Sequence, residues 1–77
     1  MTGEDVRQVQ NWLNILSTAF PEIQPIAADG NFGPRTTEAL ITAQSLLGIT
    51  PTGIVGPITW DTLAHEANRI QSREVDA

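Results

Sequence analysis

The residues of this 77-residue chain that are best suited to bind a ligand lie in one glycine- and proline-rich segment. The segment reads Asp29-Gly30-Asn31-Phe32-Gly33-Pro34-Arg35-Thr36 and precedes a predicted helix. A glycine-rich turn that leads into a helix presents backbone N–H groups at the positive end of the helix dipole. Arg35 would add a forked contact to a carboxylate, the alternative being that it is a solvated helix residue. The segment therefore predicts a site for a hydrogen-bond acceptor, such as a carboxylate or a carbonyl oxygen.

The same pattern returns 23 residues later, and we call residues 29–36 the first elbow and residues 52–59 the second elbow. Glycine adopts backbone angles that other residues avoid, and proline fits the first turn of a helix, where its missing N–H is not needed. Each elbow is therefore predicted to be a tight turn that starts a helix. The residues expected to shape the two turns are Gly30, Gly33, Pro34 and Thr36 in the first and Gly53, Gly56, Pro57 and Thr59 in the second.

Several elbow residues have a structural interpretation beside the ligand-binding one. The Asp29 side chain can bond to nearby backbone N–H groups and close its loop. Thr36 and Thr59 are expected to be structural, since a hydroxyl at the third helical position can bond locally at the helix start. A side chain at Gly33 is expected to disturb the start of the helix, so that Gly33→Val should destabilise the fold more than Asn31→Ala.

The aromatic residues are expected mainly in the core. Phe20, Phe32 and Trp60 fall at apolar positions, whereas Trp12 lies on the flank of the stripe of the first helix and is the aromatic residue expected to be partly exposed. A tryptophan edge at a groove can also contact the face of a sugar. The complete set of candidate ligand-binding residues is Asp29, Gly30, Asn31, Phe32, Arg35, Ile54 and Trp12.

Hydrophobic periodicity predicts an all-α fold, a small three-helix bundle whose second and third helices begin at the two elbows. The first helix is predicted over residues 3–18, and a loop over residues 21–33 crosses to the second helix, which Gly48 ends. The third helix begins at Pro57. The domain is predicted to span residues 1–70, and the polar residues 71–77 are predicted to fray. The predicted core stripes are Val6, Val9, Leu13 and Leu16; Ala39, Leu40, Ala43, Leu46 and Leu47; and Trp60, Leu63, Ala64, Ala67 and Ile70.

Composition excludes several classes of partner. Four basic and nine acidic residues give a net charge of −5, so the chain has no basic face with which to bind nucleic acid or an anionic membrane surface. No apolar run approaches the roughly 20 residues that span a bilayer, and the N-terminus lacks the pattern of a secretion signal. The absence of cysteine excludes disulfides and thiolate metal sites.

The sequence predicts no enzymatic activity, no cofactor and no metal site. His65 is the one histidine, and a zinc site would need two carboxylates beside it. The serines lie in predicted helices or in the polar tail, without the sharp strand-to-helix turn that exposes a nucleophile. A glycosidase needs two carboxylates that flank a cleft, and three short helices leave little room for one.

The first helix reads Val6-Arg7-Gln8-Val9-Gln10-Asn11-Trp12-Leu13. With the two elbows that follow, it resembles the peptidoglycan-binding domain found beside many bacterial cell-wall hydrolases. The resemblance covers Val6 to Ala64. Two positions depart from the family pattern: Ala43 replaces the usual aromatic residue before Gln44, and Thr52 replaces the aspartate that often begins the second elbow.

The resemblance implies a non-catalytic module that anchors an attached enzyme or protein to peptidoglycan, through either the stem peptide or the glycan. It also implies a location outside the cytoplasm or at the cell wall, although the chain itself shows no signal peptide. We expect a monomer that belongs to a longer protein, with no nucleic-acid partner and no membrane insertion. The alternative is a protein-docking or assembly module, as in a phage or spore particle, on the same scaffold.

Overall fold

A computed structural model describes the backbone of residues 3–76 and the side chains of residues 3–72. This part of the chain contains three helices and no strand: α1 (Gly3–Ser17), α2 (Pro34–Leu46) and α3 (Pro57–Asp76). The predicted all-α three-helix bundle is thus confirmed. The helix α1 packs chiefly against α3 and also against α2.

The core forms where the apolar stripes of the three helices meet. From α1, Val9, Leu13 and Leu16 are fully buried, as helical spacing predicts. The other helices contribute Leu40, Ala43, Leu63 and Ala67 at the same complete burial, together with the nearly buried Ala39 and Ile70. Trp60 and Leu47 are partly buried and pack against this core.

The loop between α1 and α2 is held against the bundle by the buried side chain of Ile23 and by a pair of hydrogen bonds between Asn14 and Ile26. Ile23 is 1% exposed and belongs to the core. The Asn14 side chain of α1 donates to the Ile26 carbonyl and accepts from the Ile26 N–H, both at 2.8 Å. The two bonds hold the loop against α1 as a neighbouring strand would, so this long connection has a fixed course.

The end of α2 is set by Gly48, which has a left-handed φ of 75° as predicted. The N–H of Ile49 reaches the Gln44 carbonyl at 2.8 Å and the N–H of Gly48 reaches the Ser45 carbonyl at 3.3 Å, which together form a Schellman motif. The prediction for Leu46 was wrong, since it is 38% exposed. The chain turns at this point, and Leu47 packs against the core in its place.

The helix α3 continues beyond Ile70, the predicted end of the domain, to Asp76. Ala77, the last residue of the predicted polar tail, lies outside the described residues. The division of the chain at residue 70 stays a prediction.

Candidate functional site

The first elbow is built around Gln10, a fully buried polar side chain of α1. Its Oε1 accepts the Gly30 N–H at 2.9 Å. Its Nε2 donates to the Asn31 carbonyl at 2.9 Å, to Thr36 Oγ1 at 3.1 Å and to Asp29 Oδ1 at 3.2 Å. One amide therefore fixes both the loop and the first turn of α2.

The second elbow repeats this arrangement around Gln44 of α2, which is 1% exposed. Its Oε1 accepts the Gly53 N–H at 2.9 Å. Its Nε2 donates to the Ile54 carbonyl at 3.1 Å and to Thr59 Oγ1 at 3.2 Å. Each elbow is thus held by a buried glutamine from the helix that precedes it.

The residue that opens each elbow bonds to the backbone two positions later. Asp29 Oδ1 accepts the Asn31 N–H at 2.9 Å, and Thr52 Oγ1 accepts the Ile54 N–H at 3.1 Å. The hydrogen bond from the Asn31 backbone, with a smaller contribution from Gln10, lowers the pKa of Asp29 below its ordinary value of 3.8. Thr52 makes the same turn without a charge.

The two interpretations of the elbows differ in whether the elbow N–H groups face a ligand, and most of these groups are bonded within the fold. The N–H groups of Gly30, Asn31, Gly53 and Ile54 are occupied by the glutamine, aspartate and threonine side chains. The Gly33 N–H bonds to the Asn31 carbonyl at 3.1 Å. The sequence pattern that makes the turns therefore also uses up their donors.

Thr36 and Thr59 take part in the fold as expected, but their hydrogen bonds are long-range and not local. Both residues are buried, at 3% and 5% exposure, and their hydroxyls accept from Gln10 and Gln44. Thr37 makes the local bond instead, from its hydroxyl to the Gly33 carbonyl at 3.1 Å.

The elbow glycines differ in what they require. Gly30 and Gly53 have left-handed φ angles of 79° and 73°. A Cβ on Gly30 would lie 3.1 Å from the Gly3 carbonyl oxygen, whereas one on Gly33 would meet nothing within 4 Å. The expectation that a side chain at Gly33 is forced into the helix start was therefore wrong.

Arg35 lies at the surface beside the first elbow, between two neighbouring grooves that share it as a lining residue and that we together call the first-elbow groove. One part, of about 580 Å³, lies between the loop and α2. The other part, of about 340 Å³, lies against the elbow itself and is more apolar. Arg35 and Ile26 line both parts. The first part also contains Glu22, Gln24, Pro25, Glu38, Ala39, Ile41 and Thr42, and the second contains Ala27, Asp29, Asn31, Gly33, Pro34 and Thr36.

The guanidinium of Arg35 has no hydrogen bond or ion pair within the described residues. Arg69, by contrast, contacts Glu66 at 2.7 Å on the surface of α3. Of the predicted ligand residues, the structure brings Asp29, Asn31 and Arg35 together in one groove.

The remaining predicted ligand residues lie elsewhere. Phe32 is 37% exposed rather than in the core, because the inward contacts of the first elbow are polar. Ile54 is 70% exposed at the tip of the second elbow. Trp12 is partly buried against the core, and its ring centroid lies 4.7 Å from that of Trp60 at an interplanar angle of 75°.

The prediction that the elbow tips share one recess was wrong. The first-elbow groove contains no residue of the second elbow. Gly53 instead lies against the side chains of Thr37 and Ile41 on α2. Each elbow therefore presents a separate surface.

The sequence profile of the family described as "Putative peptidoglycan binding domain" matches residues 2–63, most of the chain. This chain belongs to the peptidoglycan-binding domain family. Modules of this family are generally non-catalytic. No three histidine, aspartate or glutamate side chains that could hold a metal ion come together among the described residues.

A relative in Kitasatospora aureofaciens is described as "Uncharacterized protein in bpoA1 3'region". It is 36% identical over 69 residues, which cover 88% of this chain and 54% of that protein. The chain thus spans about half the length of this relative. No solved structure matches the chain significantly. Within the described residues, no helix has both the length and the apolar character needed to cross a bilayer.

The sequence interpretation missed Gln10, Gln44 and Asn14 as the residues that hold the loops. The sequence does indicate that the two glutamines lie on apolar stripes. Each follows a small apolar residue and stands three positions before a leucine: Gln10 lies between Val9 and Leu13, and Gln44 lies between Ala43 and Leu47. A glutamine at such a position lies on the buried stripe of its helix and needs a polar partner there.

Proposed function

We propose that this chain is a module without enzymatic activity that anchors an attached protein to bacterial peptidoglycan through the first-elbow groove. Membership of the peptidoglycan-binding domain family supports the partner. The choice of groove depends on Arg35. Its side chain is exposed, lines both parts of the groove and has no hydrogen-bond or ion-pair partner among the described residues. Its planar donors suit a carboxylate.

The charges around Arg35 indicate which part of the wall fits this groove. Glu22 and Glu38 line the same part of the groove as Arg35. A ligand with only negative charges would meet repulsion from these two carboxylates. A stem peptide that carries both carboxylate and ammonium groups would place the first on Arg35 and the second near Glu22 or Glu38. Ile26, Pro25 and Ala39 supply apolar contact between them.

The binding of a single module should be weak, because the groove is open and its main ionic contact is exposed. A module that is linked to an enzyme or another protein raises the effective concentration of that partner at the wall. Weak binding is therefore sufficient for an anchoring role. The longer protein and a location at the cell wall are parts of this proposal.

Co-sedimentation with purified sacculi tests the proposal. We expect the folded domain to pellet with sacculi and Arg35→Ala to weaken binding about tenfold, the loss expected for one charge-assisted contact. Helicity measured by circular dichroism should be unchanged. Arg69→Ala is the matched control, since it removes an exposed arginine that lies outside the groove.

Two results would contradict the proposal. A folded wild-type domain that stays in the supernatant would exclude wall binding. An Arg69→Ala variant that loses as much affinity as Arg35→Ala would show that general charge, rather than this groove, governs pelleting.

A protein-docking role is the second candidate, and the second elbow favours it. Ile54 and Ile58 are 70% and 72% exposed, and Ile41 of the adjacent α2 is 37% exposed. Exposed apolar side chains of this kind occur at protein interfaces. If Ile58→Asp rather than Arg35→Ala abolished pelleting with sacculi, a protein retained in the sacculi would be the partner.

A further inference from the structure

A second groove runs along the seam between α1 and α3, away from both elbows, and we call it the seam groove. It has a volume of about 590 Å³. Five of its lining residues carry side-chain amides: Gln8, Asn11 and Asn14 on α1, and Asn68 and Gln71 on α3. Trp12 lies among them, and within the described part of the chain none of the lining residues carries a charge.

The chemistry of the seam groove differs from that of the first-elbow groove. The first-elbow groove combines Arg35 with the carboxylates of Glu22 and Glu38. The described lining of the seam groove is neutral. Each of its amides has two N–H donors and one carbonyl acceptor. Such a lining matches a ligand that is uncharged and presents many hydroxyl or acetamido groups.

The amides of α1 divide into two groups with different tasks. Gln10 and Asn14 are hydrogen-bonded to the loop, with Asn14 joined to Ile26 through both of its polar atoms. Gln8 and Asn11, like Asn68 and Gln71 across the seam, have no side-chain hydrogen bond to any described protein group. These four amides are therefore available to a ligand from two facing helices.

The Trp12 ring is held in a fixed orientation beside these amides. It packs against the core and meets Trp60 edge to face, with 4.7 Å between ring centroids. Aromatic pairs of this geometry are favourable beyond their buried area. Because the ring is only partly buried, some of its apolar surface remains at the groove. An ordered indole surface between neutral amides can contact the C–H face of a sugar ring at little entropic cost.

We propose that the seam groove binds a neutral N-acetylated oligosaccharide, and hence the glycan strand of peptidoglycan. The amides of Gln8, Asn11, Asn68 and Gln71 bond to hydroxyl and acetamido groups, and Trp12 packs against a sugar face. The net charge of −5 does not oppose a neutral ligand. This inference rests on the proposed wall-binding function and assigns the glycan to a different groove from the stem peptide.

Titration of the isotope-labelled domain with tri-N-acetylchitotriose, followed by NMR, tests the inference. We expect the side-chain amide signals of Asn11, Asn68 and Gln71 and the Trp12 indole signal to shift, while the backbone signals of Asn31 and Arg35 stay in place. Shifts confined to the first-elbow groove, or no shifts at high sugar concentration, would overturn it.

Variants separate these contacts from effects on folding. Asn11→Ala and Gln71→Ala change exposed helix positions, so helicity should be kept, and each should weaken sugar binding about two- to tenfold, as expected for one lost hydrogen bond. Gln24→Ala is the matched control, since it removes an exposed amide from the other groove. Wild-type affinity in the Asn11→Ala/Gln71→Ala double variant would overturn the inference.

The two proposals can fail separately. Pelleting with sacculi that depends on Arg35, together with no response to tri-N-acetylchitotriose, would reject only the glycan site. Sugar-induced shifts in the seam groove, together with no pelleting of the wild-type domain, would support the sugar site and reject wall anchoring.

Discussion

The two elbows share one backbone arrangement but present different surfaces. In both, a buried glutamine accepts the N–H of the first glycine at 2.9 Å and donates to a buried threonine at 3.1 or 3.2 Å. At the surface, Asn31 and Arg35 of the first elbow correspond to Ile54 and Ile58 of the second, 23 positions later. The repeat thus maintains the fold, while the outward residues are free to acquire different functions.

The elbows also differ in how much chain each glutamine holds. Gln10 bonds to residues 19 to 26 positions away and so closes the long loop between α1 and α2. Gln44 bonds to residues 9 to 15 positions away, across a shorter connection. Gln10 also has a fourth partner, the carboxylate of Asp29. The first elbow is therefore more dependent on its glutamine than the second.

The glutamine substitutions should have the largest effects and test this difference directly. Gln10→Ala removes the partner of polar groups in the loop and in the first turn of α2, and we expect it to lower the free energy of unfolding by about 3 kcal/mol. Gln44→Ala should lower the free energy of unfolding by about 2 kcal/mol, because Gln44 has fewer partners. Chemical denaturation measures both, with the exposed Gln24→Ala as control. Equal losses would show that loop length and Asp29 add nothing to the first elbow.

The glycine substitutions should come next. Gly30→Ala should cost about 2 kcal/mol, because a left-handed φ is combined with a close backbone oxygen. Gly53→Ala should cost about 1 kcal/mol, since its close neighbours are side chains of Thr37 and Ile41 that can move. Gly33→Ala is the control and should change stability by less than about 0.5 kcal/mol. Thermal melts in which Gly33→Ala is the most damaging variant would contradict this account.

An exchange of the outward residues tests whether the elbows have separate functions. Arg35→Ile places the residue of the second elbow in the first, and we expect about tenfold weaker binding to sacculi with unchanged stability. Ile58→Arg should not restore binding in that background, because neither part of the groove that Arg35 lines contains a residue of the second elbow. Full recovery in the double variant would show that the position of the arginine is unimportant.

The pH dependence of stability should show the smallest difference. The folded pKa of Asp29 lies below its ordinary value of 3.8, so its ionised form stabilises the fold above that value. This contribution should disappear as the pH falls through the folded pKa. Asp29→Thr copies the second elbow without a titrating group, and its stability should fall less as the pH is lowered from above 3.8 to below the folded pKa of Asp29. Parallel curves for the two proteins would exclude a role for Asp29 ionisation.

Local pattern was sufficient to predict the helices and most of the core. Pro34 and Pro57 begin α2 and α3, and Gly48 ends α2, because the backbone preferences of proline and glycine act within a few residues. The buried stripe of α1 followed from helical spacing alone. The prediction that Leu46 is buried failed, because burial at the end of a helix depends on where the chain turns. The helical period does not predict that turning point.

The sequence by itself determined two repeated turns, three helices and their apolar faces, because these depend on the backbone preferences and spacing of nearby residues. Only the tertiary structure decided that Gln10 and Gln44 occupy the elbow N–H groups, that Arg35 lies in a groove with Glu22 and Glu38, and that the two elbows do not share a recess. Hydrogen bonds and grooves join segments far apart in the chain. Their partners are therefore fixed by how the helices pack.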